Sequence, residues 1–324
     1  MTENILVTGA QGCIGAWVVK TILDRGDRPL VFDLSTDHRR IADLLEPDQM
    51  AQVRFFQGDI TDNRTVHRVL EQSEATKVIH LAGLQVPFCK ANPISGAMVN
   101  VVGTLNVFQA AVKCGVTRVV YASSAAVYGR ESGDHPRSEQ DPAEASTHYG
   151  VFKRANEGNA RVFYLDDGLD TVGLRPLTVY GVGRDQGLTS GPTSAMKAAV
   201  LGKPFTVGFQ GATDYQYVGD TAATFLLCAD QAPSGAKIYN LHGDSVEVQE
   251  IVDLIQKHLP EGQTADIRIS GPELPVPPAM KDDALRGDLG ELPRTSLSDG
   301  IRVTMARFAR LHDEGRLDTR DLPT

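Results

Sequence analysis

Tyr149 and Lys153 stand four residues apart in the stretch YGVFK. On a helix that spacing puts both side chains on one face, one turn from each other. A free tyrosine has a pKa of about 10 and is a poor base near neutrality. A lysine ammonium one turn away favours the phenolate and is expected to lower that pKa. Such a pair suits proton exchange with an alcohol or a ketone. Tyr and Lys at this spacing also occur on many solvated helix faces, so the rest of the chain decides what the pair means.

A second chemical signal opens the sequence. The apolar run from Asn4 to Thr8 leads into GAQGCIG, with Gly9, Gly12 and Gly15. A helical stripe of Ile14, Val18, Val19 and Ile22 follows and stops at Gly26. The apolar run Leu30 to Phe32 then ends at Asp33. The first two glycines permit a tight turn and close approach to a pyrophosphate, and the third permits close helix packing. The helix N-terminus offers free N–H groups and a positive dipole end to phosphate. Asp33 is placed to accept from the ribose hydroxyls of NAD. Arg39 and Arg40 lie nearby and could blunt a preference for NAD over NADP.

These residues need a frame. Strand patterns at Val53 to Phe56, Lys77 to Leu81, Arg118 to Ala122 and Thr171 to Leu174 alternate with helical ones. The helices are expected near Asn63 to Gln72, Ile94 to Cys114, and from Tyr149 to Asp167. Apolar strands alternating with helices predict an α/β fold with a parallel, doubly wound sheet. Gly9, Asp33, Asp59, Ala82, Ser124 and Pro176 fall at strand carboxyl ends, where such sheets bind ligands. Past Tyr180 the pattern changes to a glycine-rich loop, Gly181 to Gly191. Helices are expected at Pro192 to Leu201, Thr221 to Ala229 and Val248 to Leu259, and strands at Phe205 to Val207, Tyr215 to Val218 and Lys237 to Leu241. Gly271 to Pro278 is expected to be extended. Ser296 and Asp299 form a capping pair before a helix carrying Ile301, Met305, Phe308 and Leu311. The polar tail after Gly315 is expected to fray.

The 324 residues suffice for one large domain or two moderate ones, and the net charge of −9 comes without a basic stripe. That composition argues against nucleic-acid binding. No apolar run of membrane-span length and no signal-peptide pattern are read at this stage, so a cytoplasmic protein without a membrane partner is expected. Cys13, Cys89, Cys114 and Cys228 are scattered, and the eight histidines form no HxxxH pair, so no metal site is expected. His80, inside an apolar strand, reads as a core residue.

The motifs together carry a resemblance. GAQGCIG, GDI at 58–60, HLAG at 80–83, NVVGT at 100–104, YASSAAVYG at 121–129, YGVFK and LRPLTVYG at 174–181 come in order. The chain resembles the extended short-chain dehydrogenase/reductase superfamily, particularly its NAD-dependent epimerase/dehydratase branch. The resemblance implies a Rossmann domain (1–180 and 215–243) and a smaller C-terminal α/β substrate domain (181–214 and 244–324). It implies a catalytic triad of Ser124, Tyr149 and Lys153. Ser124 would orient the substrate oxygen, Tyr149 would be the general acid/base, and Lys153 would poise Tyr149 and hold the nicotinamide ribose. Implied NAD contacts are Gly9, Gln11, Gly12, Cys13, Ile14, Gly15, Asp33, Asp59, Ile60, Leu81, Ala82, Gly83, Asn100, Tyr149, Lys153 and Pro176. Candidate substrate contacts are Gln85, Ser124, Ala125, Thr178 and Arg184. A homodimer is also implied, through the helix before Gly115 and the Tyr149 helix, with Val102, Leu105, Phe108, Val151, Phe152 and Phe163 available for its apolar faces.

The chain departs from that pattern where nucleotide-sugar members hold their substrate. Thr178 stands in place of an Asn, Thr213 in place of an Arg, and Ser270-Gly271-Pro272 in place of an Arg-Pro-Gly turn. Threonine cannot replace an arginine–phosphate fork. The expectation is therefore hydride transfer between NAD and a secondary alcohol or ketone of a small sugar-like or hydroxy-acid substrate. Arg184, Asp185, Gln186, Thr189 and Ser190 are polar groups suited to hydroxyls or a carboxylate. Two alternatives stay open: a sugar or nucleotide-sugar epimerase that retains its NAD, and a non-catalytic NAD sensor.

Overall fold

The computed structural model describes residues 2–129 and 135–323. In chain order the first half comprises β1 (Asn4–Thr8), α1 (Cys13–Asp24), β2 (Arg28–Asp33), α2 (Arg39–Ala42), α3 (Pro47–Met50), β3 (Arg54–Gln57), α4 (Asn63–Ser73), β4 (Lys77–His80), α5 (Val86–Ala91), α6 (Pro93–Ala97), α7 (Gly103–Lys113), β5 (Arg118–Ala122) and α8 (His148–Asp167). Then come β6 (Asp170–Arg175), β7 (Thr178–Tyr180), α9 (Gly191–Val200), β8 (Phe205–Val207), β9 (Ala212–Tyr217), α10 (Val218–Gln231), β10 (Ala236–Asn240), β11 (Asp244–Glu247), α11 (Val248–Lys257), β12 (Ile267–Ile269), α12 (Asp283–Leu289) and α13 (Leu297–Asp313).

Seven strands form the central sheet in the order β10-β6-β5-β4-β1-β2-β3, and every pairing is parallel. This is the Rossmann-like α/β fold the alternation predicts. The middle strands are buried on both faces: Ile5, Val7, Val78, Ile79, Val119 and Val120 are fully covered. The order reverses at β1, whose neighbours are β2 and β4, and such a switch point opens a crevice above the strand ends. The crevice floor needs glycine. Gly9 has φ +68°, and a Cβ there would lie 2.5 Å from the Ala82 nitrogen. A Cβ on Gly15 would lie 2.5 Å from the Gly9 carbonyl oxygen, so α1 could not pack as it does.

A three-stranded sheet, β11-β9-β7, and a two-stranded one, β12-β8, lie outside the main sheet. The segment 215–243 therefore divides. Tyr215–Tyr217 belongs to β9 and the small sheet, α10 packs against α1, and β10 is the edge of the large sheet. The stripe Ile301, Met305, Phe308 and Leu311 is buried as its spacing requires, and Ser296 Oγ accepts from the Asp299 amide at the start of α13.

Four expectations are corrected. The helix expected over Ile94 to Cys114 runs from Pro93 to Lys113, and a π-helical turn at Met98–Val102 widens it. At that turn Asn100 points inward, its Oδ1 3.1 Å from the Leu84 amide and its Nδ2 3.1 Å from the Leu84 carbonyl. The Asn100 carbonyl accepts from Thr104 Oγ1 and Asn156 Nδ2, both at 2.7 Å. By length and composition this 21-residue stretch could cross a membrane, contrary to the sequence reading, but half of it is buried in the fold. Phe108, offered for a dimer face, is fully buried against Tyr121 and Phe163. The tail after Gly315 is pinned rather than frayed. Buried Lys197 reaches Asp321 Oδ1 at 2.6 Å and the Asp318 carbonyl at 3.0 Å, and Leu322 is buried. A buried ammonium must be paired, so it anchors the segment that composition alone marks as solvated.

Candidate active site

One crevice of about 630 Å³ collects the strand ends. Gly9, Gln11, Gly12, Cys13, Ile14, Gly15, Asp33, Asp59, Ile60, Leu81, Ala82 and Gly83 line it, with Gln85, Ser124, Tyr149, Lys153, Pro176 and Arg184. Phe32, Leu34, Leu84, Phe88 and Val99, which the motifs do not mark, add an apolar lining together with Leu177 and Val179.

At one end the donors suit a dinucleotide. The N-cap of α1 is Gly12, with no side chain to satisfy the first-turn amides, and that turn holds no acid. Those amides and the helix dipole are left for an anion. The Asp33 carboxylate is oriented by two backbone amides, Gln11 N at 2.9 Å and Ser35 N at 3.0 Å. Asp59 is held by Thr61, whose amide and hydroxyl both lie 2.8 Å from Oδ1. A Cβ on Gly83 would meet Asn100 Oδ1 at 2.6 Å and Lys153 Nζ at 3.5 Å, so the glycine keeps the space beside the lysine open. The residues present thus fit NAD: Gly12 to Gly15 would suit the pyrophosphate, Asp33 the adenosine ribose and Lys153 the nicotinamide ribose.

The three side chains come from two parts of the chain, the end of β5 and the start of α8, and meet in this crevice. Ser124 follows β5, and its Oγ accepts from the Ala126 amide at 3.1 Å, capping a short 3₁₀ turn. Tyr149 and Lys153 lie in the first two turns of α8, which Thr147 caps through the Gly150 amide. Lys153 Nζ donates to the Ala122 carbonyl at 2.7 Å and sits 5.5 Å from the Tyr149 ring centroid. Burial brings the lysine pKa down to about 8. The tyrosine pKa is raised, chiefly by burial, while a hydrogen bond with Ser124 and the charge of Arg184 act against the rise. The expectation that Lys153 lowers the tyrosine pKa is not met in this geometry. Burial outweighs it, and Arg184 is the cation that acts on the phenol.

Three sequence-marked residues stay off the crevice surface. Asn100 is buried and acts on the backbone of Leu84. Ala125 is buried, and its amide donates to the Pro176 carbonyl at 3.0 Å. Thr178, expected at the substrate, is fully buried, and its hydroxyl is 2.8 Å from that of Thr213, also fully buried. Strand pairing between β7 and β9 brings the two threonines together. In the glycine-rich loop, Thr189 Oγ1 accepts from Arg184 Nη2 at 2.8 Å and Ser190 donates to the Gly187 carbonyl, while Arg184 and Gln186 face the crevice. His80 is a core residue, as expected. It lies between the hydroxyls of Thr8 and Thr104, and burial lowers its pKa to about 3.

The motifs also miss a buried ion pair behind the triad. Glu157 Oε1 and Oε2 accept from Arg175 Nε at 2.7 Å and Nη2 at 2.8 Å, and Ser123 donates to Oε1 at 2.7 Å. Its signal was available: Glu157 continues the Tyr149–Lys153 stripe by one more turn, and Arg175 closes β6 just before Pro176.

Comparisons with known proteins agree with this geometry. A model of the NAD dependent epimerase/dehydratase family matches residues 5–241. The chain belongs to that family. It is 30% identical over 278 residues to UDP-glucose 4-epimerase of Erwinia amylovora, covering 78% of this chain and 82% of that protein. It is 28% identical over 320 residues to UDP-glucose 4-epimerase of Azospirillum brasilense, covering 93% and 90%. Among solved structures, the Thermus thermophilus UDP-glucose 4-epimerase complex with NAD superposes with a TM-score of 0.81 at 26% identity, over 94% of this chain and 98% of that one. A partial consensus L-threonine 3-dehydrogenase shares the fold, with a TM-score of 0.83 at 23% identity, over 95% and 100%. The protein is an NAD-dependent enzyme of the short-chain dehydrogenase/reductase type.

The depressed lysine pKa gives a stability signature. Unfolded, Lys153 keeps its proton up to the ordinary lysine value of 10.5; folded, it releases it near 8. Below pH 8 both states hold the proton and the burial cost stands in full. Between about 8 and 10.5 only the unfolded state holds it, so this residue's contribution to stability improves as pH rises. Urea midpoints of wild type measured against Lys153→Met should therefore gain on the variant across that window, and a pH-independent difference would contradict the assignment.

Proposed function

We propose that the protein is an NAD-dependent dehydrogenase acting on a secondary alcohol or ketone of a small polyhydroxylated or acidic substrate, through Ser124, Tyr149 and Lys153. The observation that carries the substrate reading is the Thr178–Thr213 pair. Where nucleotide-sugar members present an asparagine and a phosphate-clamping arginine, this chain has two hydroxyls spent on each other behind the crevice wall. The cation left at the reacting end is Arg184, close enough to act on the Tyr149 phenol. It suits a carboxylate or hydroxyl next to the reacting carbon.

In oxidation, Ser124 donates a hydrogen bond to the substrate oxygen and holds it against the phenol. Tyr149, as phenolate, takes the hydroxyl proton while the carbon loses hydride. Bound NAD supplies the hydride acceptor and a positive charge. Lys153 would hold the ribose edge of the bound cofactor, and Arg184 is the cation whose charge favours the phenolate. In reduction the same phenol returns the proton. The relatives favour a second reading, a sugar epimerase with retained NAD, because the named curated ones are UDP-glucose 4-epimerases. Both readings use the same three side chains, and one fold hosts both reactions.

A homodimer is part of the proposal. Phe88 is 50% exposed, Ile94 79%, Val151 50% and Leu165 65%, all on the α5–α6 and α8 side of the molecule. An isologous pairing of these helices would cover them. Light scattering at micromolar concentration should give twice the 35.0 kDa chain mass, and a monomer would contradict it.

Tyr149→Phe tests the chemistry. The ring still packs, but no oxygen remains to exchange a proton. Turnover should fall by about 10²–10⁴-fold with NAD affinity nearly unchanged. Near-normal turnover by that variant would sink the mechanism.

A further inference from the structure

Beside the ribose-facing Asp33 stand two arginines, Arg39 and Arg40, on α2. Arg40 lines the crevice, and its Nη1 donates to the Gln11 carbonyl at 2.8 Å, while the Gln11 amide holds the Asp33 carboxylate. The guanidinium thus lies one residue's width from the group that would accept from the adenosine ribose. Two cations there would ordinarily welcome a 2′-phosphate, because an arginine fork binds phosphate strongly. Here they are already committed. Asp185, from the loop after β7, takes Arg40 in a two-point contact: Nε to Oδ2 at 3.1 Å and Nη2 to Oδ1 at 2.7 Å. Arg39 Nη2 lies 3.3 Å from the same carboxylate and 2.9 Å from Asp318 Oδ2. The Asp185 side chain is only 10% exposed, so bulk water screens the contact poorly. The loop that carries it is fixed by the Trp17 indole N–H, which donates to the Val182 carbonyl at 2.9 Å.

We propose that Asp185 is a cofactor-selectivity residue: by neutralising Arg40 and Arg39 from across the crevice it denies a 2′-phosphate its cations and keeps the site for NAD. Asp33 repels that phosphate directly, and Asp185 removes what would offset the repulsion. The residue acts through the arginines and has no contact with the reacting atoms. The inference rests on the reading that Asp33 faces the adenosine ribose, and the test separates the two.

Direct titration of the purified protein with NAD and with NADP, without substrate, reads the effect. Asp185→Asn should bind NADP about tenfold or more tightly than wild type, since freeing one charged fork is worth at least a factor of that order. NAD affinity should stay within about threefold, because neither arginine is needed by an unphosphorylated ribose. The gain should vanish in Asp185→Asn/Arg40→Met. Unchanged NADP binding by Asp185→Asn with NAD binding intact would overturn the proposal, as would a gain that survives without Arg40. Arg39→Met/Arg40→Met in the otherwise wild-type chain gives a test that does not depend on the Asp185 variant folding. The residual NADP affinity should not drop, and a fall beyond about threefold would show that the arginines were available after all. Asp33→Asn reports on the ribose reading separately: NAD affinity unchanged by that variant would refute the reading whatever the Asp185 variants do.

Discussion

A buried carboxylate, Glu157, sets the geometry on which the site depends. Its side chain is completely enclosed in α8, and Arg175 at the end of β6 meets it with two charge-assisted hydrogen bonds. Taking both ions out of water costs several kcal/mol each, so the pair is tolerable only because every oxygen is engaged. Ser123 and Arg154 supply the remaining donors. The guanidinium continues to Tyr128 at 2.6 Å, and that hydroxyl lies 2.8 Å from Asn240 Oδ1 at the end of β10. The network therefore ties α8 to the carboxyl ends of three adjacent strands. Removing one partner of such a pair typically costs about 3–5 kcal/mol, because it strands the other charge. The pair fixes how α8 sits over β5, and with it where Tyr149 and Lys153 meet Ser124.

The parallel frame and the cofactor end were legible in the sequence because local rules govern them. Glycine at position 9 answers to a positive φ and a neighbouring backbone nitrogen, and Asp33 answers to its place at a strand end. Both constraints act within a few residues of the motif. The Tyr149–Lys153 spacing was legible for the same reason, since one helix carries both. What was not legible depended on distant partners. The π-helical turn at Asn100 exists because its side chain satisfies the Leu84 backbone, which no helical periodicity reports. The tail is held by Lys197, more than a hundred residues earlier in the chain. Thr178 reads as a substrate contact until β7 pairs with β9 and gives its hydroxyl to Thr213.

That difference divides the two halves of the crevice. The dinucleotide half is built from backbone amides and small residues and fits the cofactor named by the family. The reacting half combines an apolar lining of Leu84, Phe88, Leu177 and Val179 with Gln85, Arg184 and Gln186. Buried Arg184 Nε and Gln85 Oε1 have no hydrogen-bond partner among the described residues.

The most direct measurement supplies the enzyme with excess NAD and a panel of sugars, sugar acids, hydroxy acids and UDP-sugars. Absorbance of reduced nicotinamide is followed beside a chromatographic assay for 4-epimers. Net dehydrogenation predicts reduced nicotinamide far beyond one equivalent per subunit with a small polyhydroxylated or acidic substrate, and no interconversion of UDP-glucose and UDP-galactose. Epimerisation of the nucleotide sugars without accumulation of reduced nicotinamide would contradict it.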